Sequence, residues 1–100
     1  MDEFIHCIYL NLFYVPKGKL ITYGQLAALA GFPKHSRHVG KVLSQLPKDS
    51  KLPWHRVVNS QGKISLQGEG FETQKKKLEN EGIVIRDDGK ILHFKQVVMH

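Results

Sequence analysis

The sequence predicts a small α+β domain, mostly helical with short β-hairpins, arranged as a winged helix-turn-helix. Three observations lead there. Two short helical segments are joined by a tight turn around Gly31-Phe32-Pro33, and the second is basic on its outer side. A strand-turn-strand pattern follows near the end, over Ile83 to Phe94. The 100 residues suit one domain, residues 1–100, with a modest core and no disulfide.

The elements follow from local patterns. Phe4, Ile5, Ile8 and Leu12 recur at helical spacing, with Tyr9 and Phe13 widening the apolar face, so 2–14 reads as a helix. Pro16 and Gly18 end it. Thr22-Tyr23-Gly24-Gln25 matches a capping box, which starts a helix over 23–30 with Leu26, Ala27 and Ala30 inward. Gly31 suits the residue just past its end. Ser36 can cap a helix over 37–46, whose buried stripe is Val39, Val42, Leu43 and Leu46. Arg37, Lys41 and Ser44 then face outward.

Pro47 to Leu52 is a polar loop. His55 to Val58 reads as a strand, Asn59-Ser60-Gln61-Gly62 as a turn and Lys63 to Ser65 as a returning strand. A helix over 71–80 places Phe71, Gln74 and Leu78 on one side, with Lys75-Lys76-Lys77 on its solvated surface. Ile83-Val84-Ile85 and Ile91 to Phe94, joined by Asp87-Asp88-Gly89, form a hairpin that serves as the wing.

Charge placement narrows the function. The net charge is +6. Between Pro16 and Gln67 stand nine basic residues and one acid, Asp49. A basic middle suits a polyanion, with nucleic acid first, although a lysine-rich solvated surface gives the same composition. No apolar run is long enough to span a membrane. One cysteine, Cys7, and an N-terminus without a basic signal region lead to a cytoplasmic, intracellular, DNA-associated protein as the expectation. Cys7 itself reads as a small buried hydrophobe. His35 and His38 are spaced i, i+3, but no cysteine or acid nearby completes a metal ligand set, and no cofactor is expected.

Four motifs then stand in order: Tyr23-Gly24-Gln25-Leu26-Ala27, Arg37-His38-Val39-Gly40, Pro53-Trp54-His55-Arg56-Val57-Val58 and Glu81-Gly82. Together they resemble the C-terminal domain of the O6-alkylguanine-DNA alkyltransferases, over most of the chain from Phe4 to Leu92. In that family a Pro-Cys-His-Arg-Val segment carries the alkyl-accepting cysteine, activated by a His that a Glu polarises. Here Trp54 stands in place of the thiol. An indole offers an N–H donor and an aromatic face, and its nitrogen lone pair is delocalised. The resemblance therefore points to the alkyltransferase-like proteins, a branch without enzymatic activity.

What the resemblance implies is specific. No residue is catalytic, and His55 and Glu81 persist as a structural pair. Tyr23 presses on the DNA backbone beside a flipped nucleotide. Arg37 fills the hole that the base leaves, on a helix that enters the minor groove. Gly40, Lys41 and Ser44 belong to the same DNA-facing helix, with Gly40 and Ser44 small enough for close approach. The lesion pocket is walled by Tyr23, Trp54, Val57 or Val58, and the loop Ser65 to Gly70, including Gln67 and Gly68. Gln67 takes the place of an arginine found in better-known members, so a cation–π contact is lost there. Leu46-Pro47 replaces an Asn-Pro hinge. The implied partners are double-stranded DNA carrying O6-alkylguanine and nucleotide excision repair proteins, met by a monomer.

Overall fold

The computed structural model describes residues 2–99. The chain runs α1 (Asp2–Phe13), β1 (Ile21–Thr22), α2 (Tyr23–Leu29), α3 (Ser36–Ser44), a 3₁₀ turn (Trp54–Arg56), β2 (Val57–Val58), α4 (Gly68–Glu79) and α5 (Phe94–Val97). The class is α+β, mostly helical with one small sheet.

Two apolar clusters form the interior. Phe4, Ile8 and Leu12 of α1 pack with Leu26 and Ala27 of α2, Val39 and Val42 of α3, and Ile21 and Val57. Leu20, Val58, Ile64, Leu78, Ile83, Ile85 and Ile91 form the second. β1 and β2 lie between them. They pair in parallel, Ile21 with Val57 and Thr22 with Val58. Parallel strands need a long crossover, and here it contains α2 and α3. The sheet thus ties the helix pair to the turn that carries Trp54.

The capping box at Thr22 forms in full. The Gln25 N–H donates to Thr22 Oγ1 at 3.0 Å, and Gln25 Oε1 accepts from the Thr22 N–H at 2.8 Å. Gln25 Nε2 also donates to the Met99 carbonyl at 2.6 Å, and the Met99 N–H returns to Leu20 at 2.8 Å. The end of the chain is thereby fastened along Leu20, a contact that local patterns did not announce.

Several expectations change. His55 and Arg56 are in the 3₁₀ turn, so only Val57–Val58 is a strand. A strand would send successive side chains to opposite faces, whereas this turn brings both bases to one carboxylate, Glu81. Neither hairpin forms as paired strands: isolated antiparallel bridges remain, Ile85 with Ile91 inside the second and Lys63 with Lys90 between the two. The segment expected to serve as a wing is thus a compact turn. Gly89 at its tip has φ +91°, and a Cβ there would meet the Phe71 ring at 2.7 Å. Phe94 lies in α5 rather than in a strand. α3 starts at Ser36, with His35 in the cap position and no side-chain cap, and it ends before Leu46. α4 begins at Gly68, ahead of Phe71. Phe13 is 63% exposed, because α1 meets the core through one face only.

Thr22→Ala should lower stability by about 1 kcal/mol through loss of the cap. Urea unfolding followed by circular dichroism measures it. An unchanged midpoint would show that the Met99 contact alone orders Gln25 and α2.

Candidate lesion pocket and nucleic-acid interface

The cap places Tyr23 in the first turn of α2, where its ring turns toward α3. The ring lies beside Gly40, where a Cβ would stand 3.9 Å from Tyr23 Cε1, at ordinary van der Waals contact. Tyr23 Oη lies 3.4 Å from Ser65 Oγ, at the start of the loop before α4. Tyr23, Gly40 and Ser44 line one side of a cavity of about 570 Å³. Trp54 lines it from the 3₁₀ turn, and Leu66, Glu69, Gly70, Thr73, Gln74 and Lys77 close it from α4 and its approach. The volume lies within the usual range for small-molecule sites, about 300–1,000 Å³.

Trp54 is partly buried, edge-on to His55 at 6.1 Å between ring centroids. Beneath them is a charged cluster. His55 Nε2 lies 2.6 Å from Glu81 Oε2. Arg56 Nε donates to Glu81 Oε1 at 2.9 Å, and Nη2 donates to Oε2 at 2.9 Å. The Gly18 N–H adds a bond to Oε1 at 3.0 Å, and Arg56 Nη1 reaches the Val15 carbonyl at 2.7 Å. Burial works to raise the Glu81 pKa, but the bonds from Arg56, Gly18 and His55 outweigh it and hold it at about 2. Burial lowers the His55 pKa below 6.5, against the opposing pull of Glu81. A neutral His55 then donates Nε2–H to the carboxylate.

The structure sorts the site residues named above. Arg37 and Lys41 are exposed on α3. Ser44 is exposed too, and its hydroxyl donates to the Lys41 carbonyl at 2.7 Å. Tyr23, Gly40, Ser44 and Trp54 meet at one cavity. Val57 and Val58 do not belong to its wall: they are 1% and 0% exposed, because β2 runs through the core between the two apolar clusters. Gln67 and Gly68 line a different cavity with Lys63, Ser65 and Asp88. The early start of α4 makes Gln67 its cap residue and turns Leu66, Glu69 and Gly70 toward Trp54 instead. Leu66 borders both cavities.

The sequence reading missed Leu43, Lys48, Thr73, Gln74 and Lys77 as cavity residues. Gly70, Thr73, Gln74 and Lys77 recur at helical spacing, a stripe that could have been read as a second helix face. It also missed Arg56, which holds Glu81 through more bonds than His55 does. Cys7 is half-buried in α1 and does not line the cavity. The His35 and His38 rings stand 4.9 Å apart, and among the described residues no three His, Cys, Asp or Glu side chains gather as a metal site. Among those residues, too, no helix is long and apolar enough to cross a membrane.

Comparison with known proteins settles the ancestry. The family described as 6-O-methylguanine DNA methyltransferase, DNA binding domain, matches residues 3–83. The chain belongs to this methyltransferase family. Its alkyltransferase-like branch is represented among the relatives. The DNA base-flipping protein of Vibrio parahaemolyticus is 55% identical over 91 residues, covering 91% of each chain. Alkyltransferase-like protein 1 of Schizosaccharomyces pombe is 41% identical over 87 residues, covering 85% of this chain and 81% of that protein. The crystal structure of S. pombe Atl1 in complex with damaged DNA containing O6-carboxymethylguanine superposes with a TM-score of 0.88 at 36% identity, covering 100% of this chain and 97% of that one. The two chains therefore share one fold.

The cluster predicts acid sensitivity in a defined direction. A folded Glu81 pKa of about 2 lies below its ordinary 4.5, so the folded state binds fewer protons there. That contribution is complete above about pH 5 and is lost as pH falls toward 2. His55, also lowered, adds a loss that starts as pH drops through 6.5. Stability measured by urea titration should decline from pH 7 to pH 3. Glu81→Gln should cost about 1–3 kcal/mol at pH 7 and flatten the acid limb. A variant whose pH profile parallels the wild type would remove Glu81 as the cause.

Proposed function

We propose that this protein is a non-enzymatic sensor of alkylated DNA. It binds duplex DNA through the minor groove and turns O6-alkylguanine out of the stack. It then holds the base in the cavity lined by Tyr23 and Trp54 and marks it for nucleotide excision repair. The observation that carries the reading is that the Trp54 indole lines the cavity; by the resemblance of Pro53-Trp54-His55-Arg56 to the enzymes' motif, it stands where a repair enzyme needs a thiolate. Displacement on carbon needs an acceptor with an available electron pair, and the indole has none to give. Its face can instead stack on a base, an interaction worth about 1–3 kcal/mol.

The reading assigns each remaining residue a task. α3 lies along the groove, where Gly40 and Ser44 keep its surface low and Lys41 meets phosphate. Arg37, exposed in the first turn of α3, enters the gap in the stack. Opening that gap costs a few kcal/mol, which a filler offsets. Tyr23 supports the rotated backbone from the cavity rim. Lys48 and Lys77 on the same rim add positive charge, and Glu69 partly offsets it. The names of the Vibrio and S. pombe relatives and the damaged-DNA complex support the DNA-binding, damage-sensing part of this reading. The protein acts inside the cell as a monomer, and the repair proteins meet the DNA complex it forms.

Paired duplexes, one with O6-methylguanine and one unmodified, give the direct test. The lesion duplex should bind more tightly, and equal affinities would favour a sequence-reading regulator. Arg37→Ala and Tyr23→Ala should each weaken lesion binding at least about tenfold, equivalent to about 1.4 kcal/mol. Wild-type affinity in both variants would overturn base flipping by these residues. Mass spectrometry of the protein after incubation with the lesion duplex should show no added alkyl group; a gain of one alkyl mass would make it an enzyme. Trp54→Cys should gain little or no transferase activity in the same assay, since Leu46 and Gln67 also differ from the enzyme pattern.

A further inference from the structure

Gln74 of α4 is 1% exposed and also lines the Trp54 cavity. Its Nε2 donates to two backbone carbonyls, His55 and Val57, each at 2.9 Å. His55 lies within the 3₁₀ turn that carries Trp54, and Val57 follows directly after it. Its Oε1 is buried with no hydrogen-bond partner. A buried amide with an idle acceptor is a costly occupant of a site that methionine could fill. What the amide adds is a pair of N–H donors at fixed positions. The turn needs them. β2 is two residues long, and its one sheet partner, β1, is no longer. The carbonyls at this point of the chain therefore rely on a side chain for satisfaction.

We propose that Gln74 is a positioning residue. Through the His55 and Val57 carbonyls it sets the pitch of the 3₁₀ turn and so aims the Trp54 indole into the cavity. The proposal rests on the reading of that cavity as the lesion pocket. It adds a determinant outside the Tyr23, Arg37 and Trp54 set, one that acts before DNA arrives.

The chain has a single tryptophan, so Trp54 emission and anisotropy report its placement in the free protein. Gln74→Met removes both donors at similar volume. It should shift Trp54 emission, lower its anisotropy and reduce the ratio of lesion to undamaged affinity about tenfold, the scale of one lost stacking plane. Gln74→Lys keeps donors and drops the idle acceptor, and it should restore both readouts. A folded methionine variant with wild-type emission and wild-type selectivity overturns the proposal. Should that variant fail to fold, the lysine variant decides: folded but altered in both readouts, it overturns the proposal as well. The two levels remain separable. If the wild type itself shows no lesion preference, the pocket reading fails, while Trp54 emission in the free variants still tests the positioning role.

Discussion

Glu81 is the tie on which the arrangement depends. It stands just past the end of α4, and its carboxylate is bonded to the turn after α1 through Gly18 and to the 3₁₀ turn through His55 and Arg56. Arg56 carries the connection on to the Val15 carbonyl at the end of α1. Three segments far apart in sequence thus converge on one acid. A carboxylate removed from water is unfavourable unless its oxygens are saturated with donors. Here each oxygen accepts from more than one group, and the pKa near 2 reflects that saturation. The same tie fixes the turn on which Trp54 sits.

Around this centre the site divides into a rigid part and a contact part. The rigid part is the 3₁₀ turn, clamped from below by Glu81 and from α4 by Gln74. The contact part is α2 with α3, capped at Thr22, with the Tyr23 ring resting beside Gly40. The parallel pairing of β1 with β2 joins them, because Thr22 is both the last residue of β1 and the cap of α2. Tyr23 and Trp54 consequently face one cavity although thirty-one positions separate them in the chain. In the proposed function, this preorganisation lets a flipped base meet a ready aromatic wall, with no ordering of the pocket needed on binding.

The helices were largely legible because their signals are local. The Thr22–Gln25 box, the Val39 and Val42 stripe and the glycine past α2 each act within one or two turns of chain. The strands were less so. His55 and Arg56 carry strand-like neighbours, but their shared bond to Glu81 overrides that preference. Of the residues expected to wall one pocket, Tyr23 and Trp54 share a cavity, while Val57, Val58 and Gln67 lie outside it. Alternation cannot tell a core-facing valine from a cavity-facing one when both faces of a strand are covered. Gln67 was displaced by where α4 begins, and helix starts without a capping side chain leave little trace in sequence.

The sequence by itself determined the class of fold, the family, the tryptophan in the Pro53-Trp54-His55-Arg56 segment and the identity of the residues around it, since these rest on residue type and short-range order. The tertiary structure decided which of those residues share a cavity, which are core, and which hold the others in place. Arg56, Gln74 and the Met99 carbonyl owe their roles to partners 25, 17 to 19, and 74 positions away. Hydrogen bonds of that kind depend on distance in space, and no local periodicity encodes it.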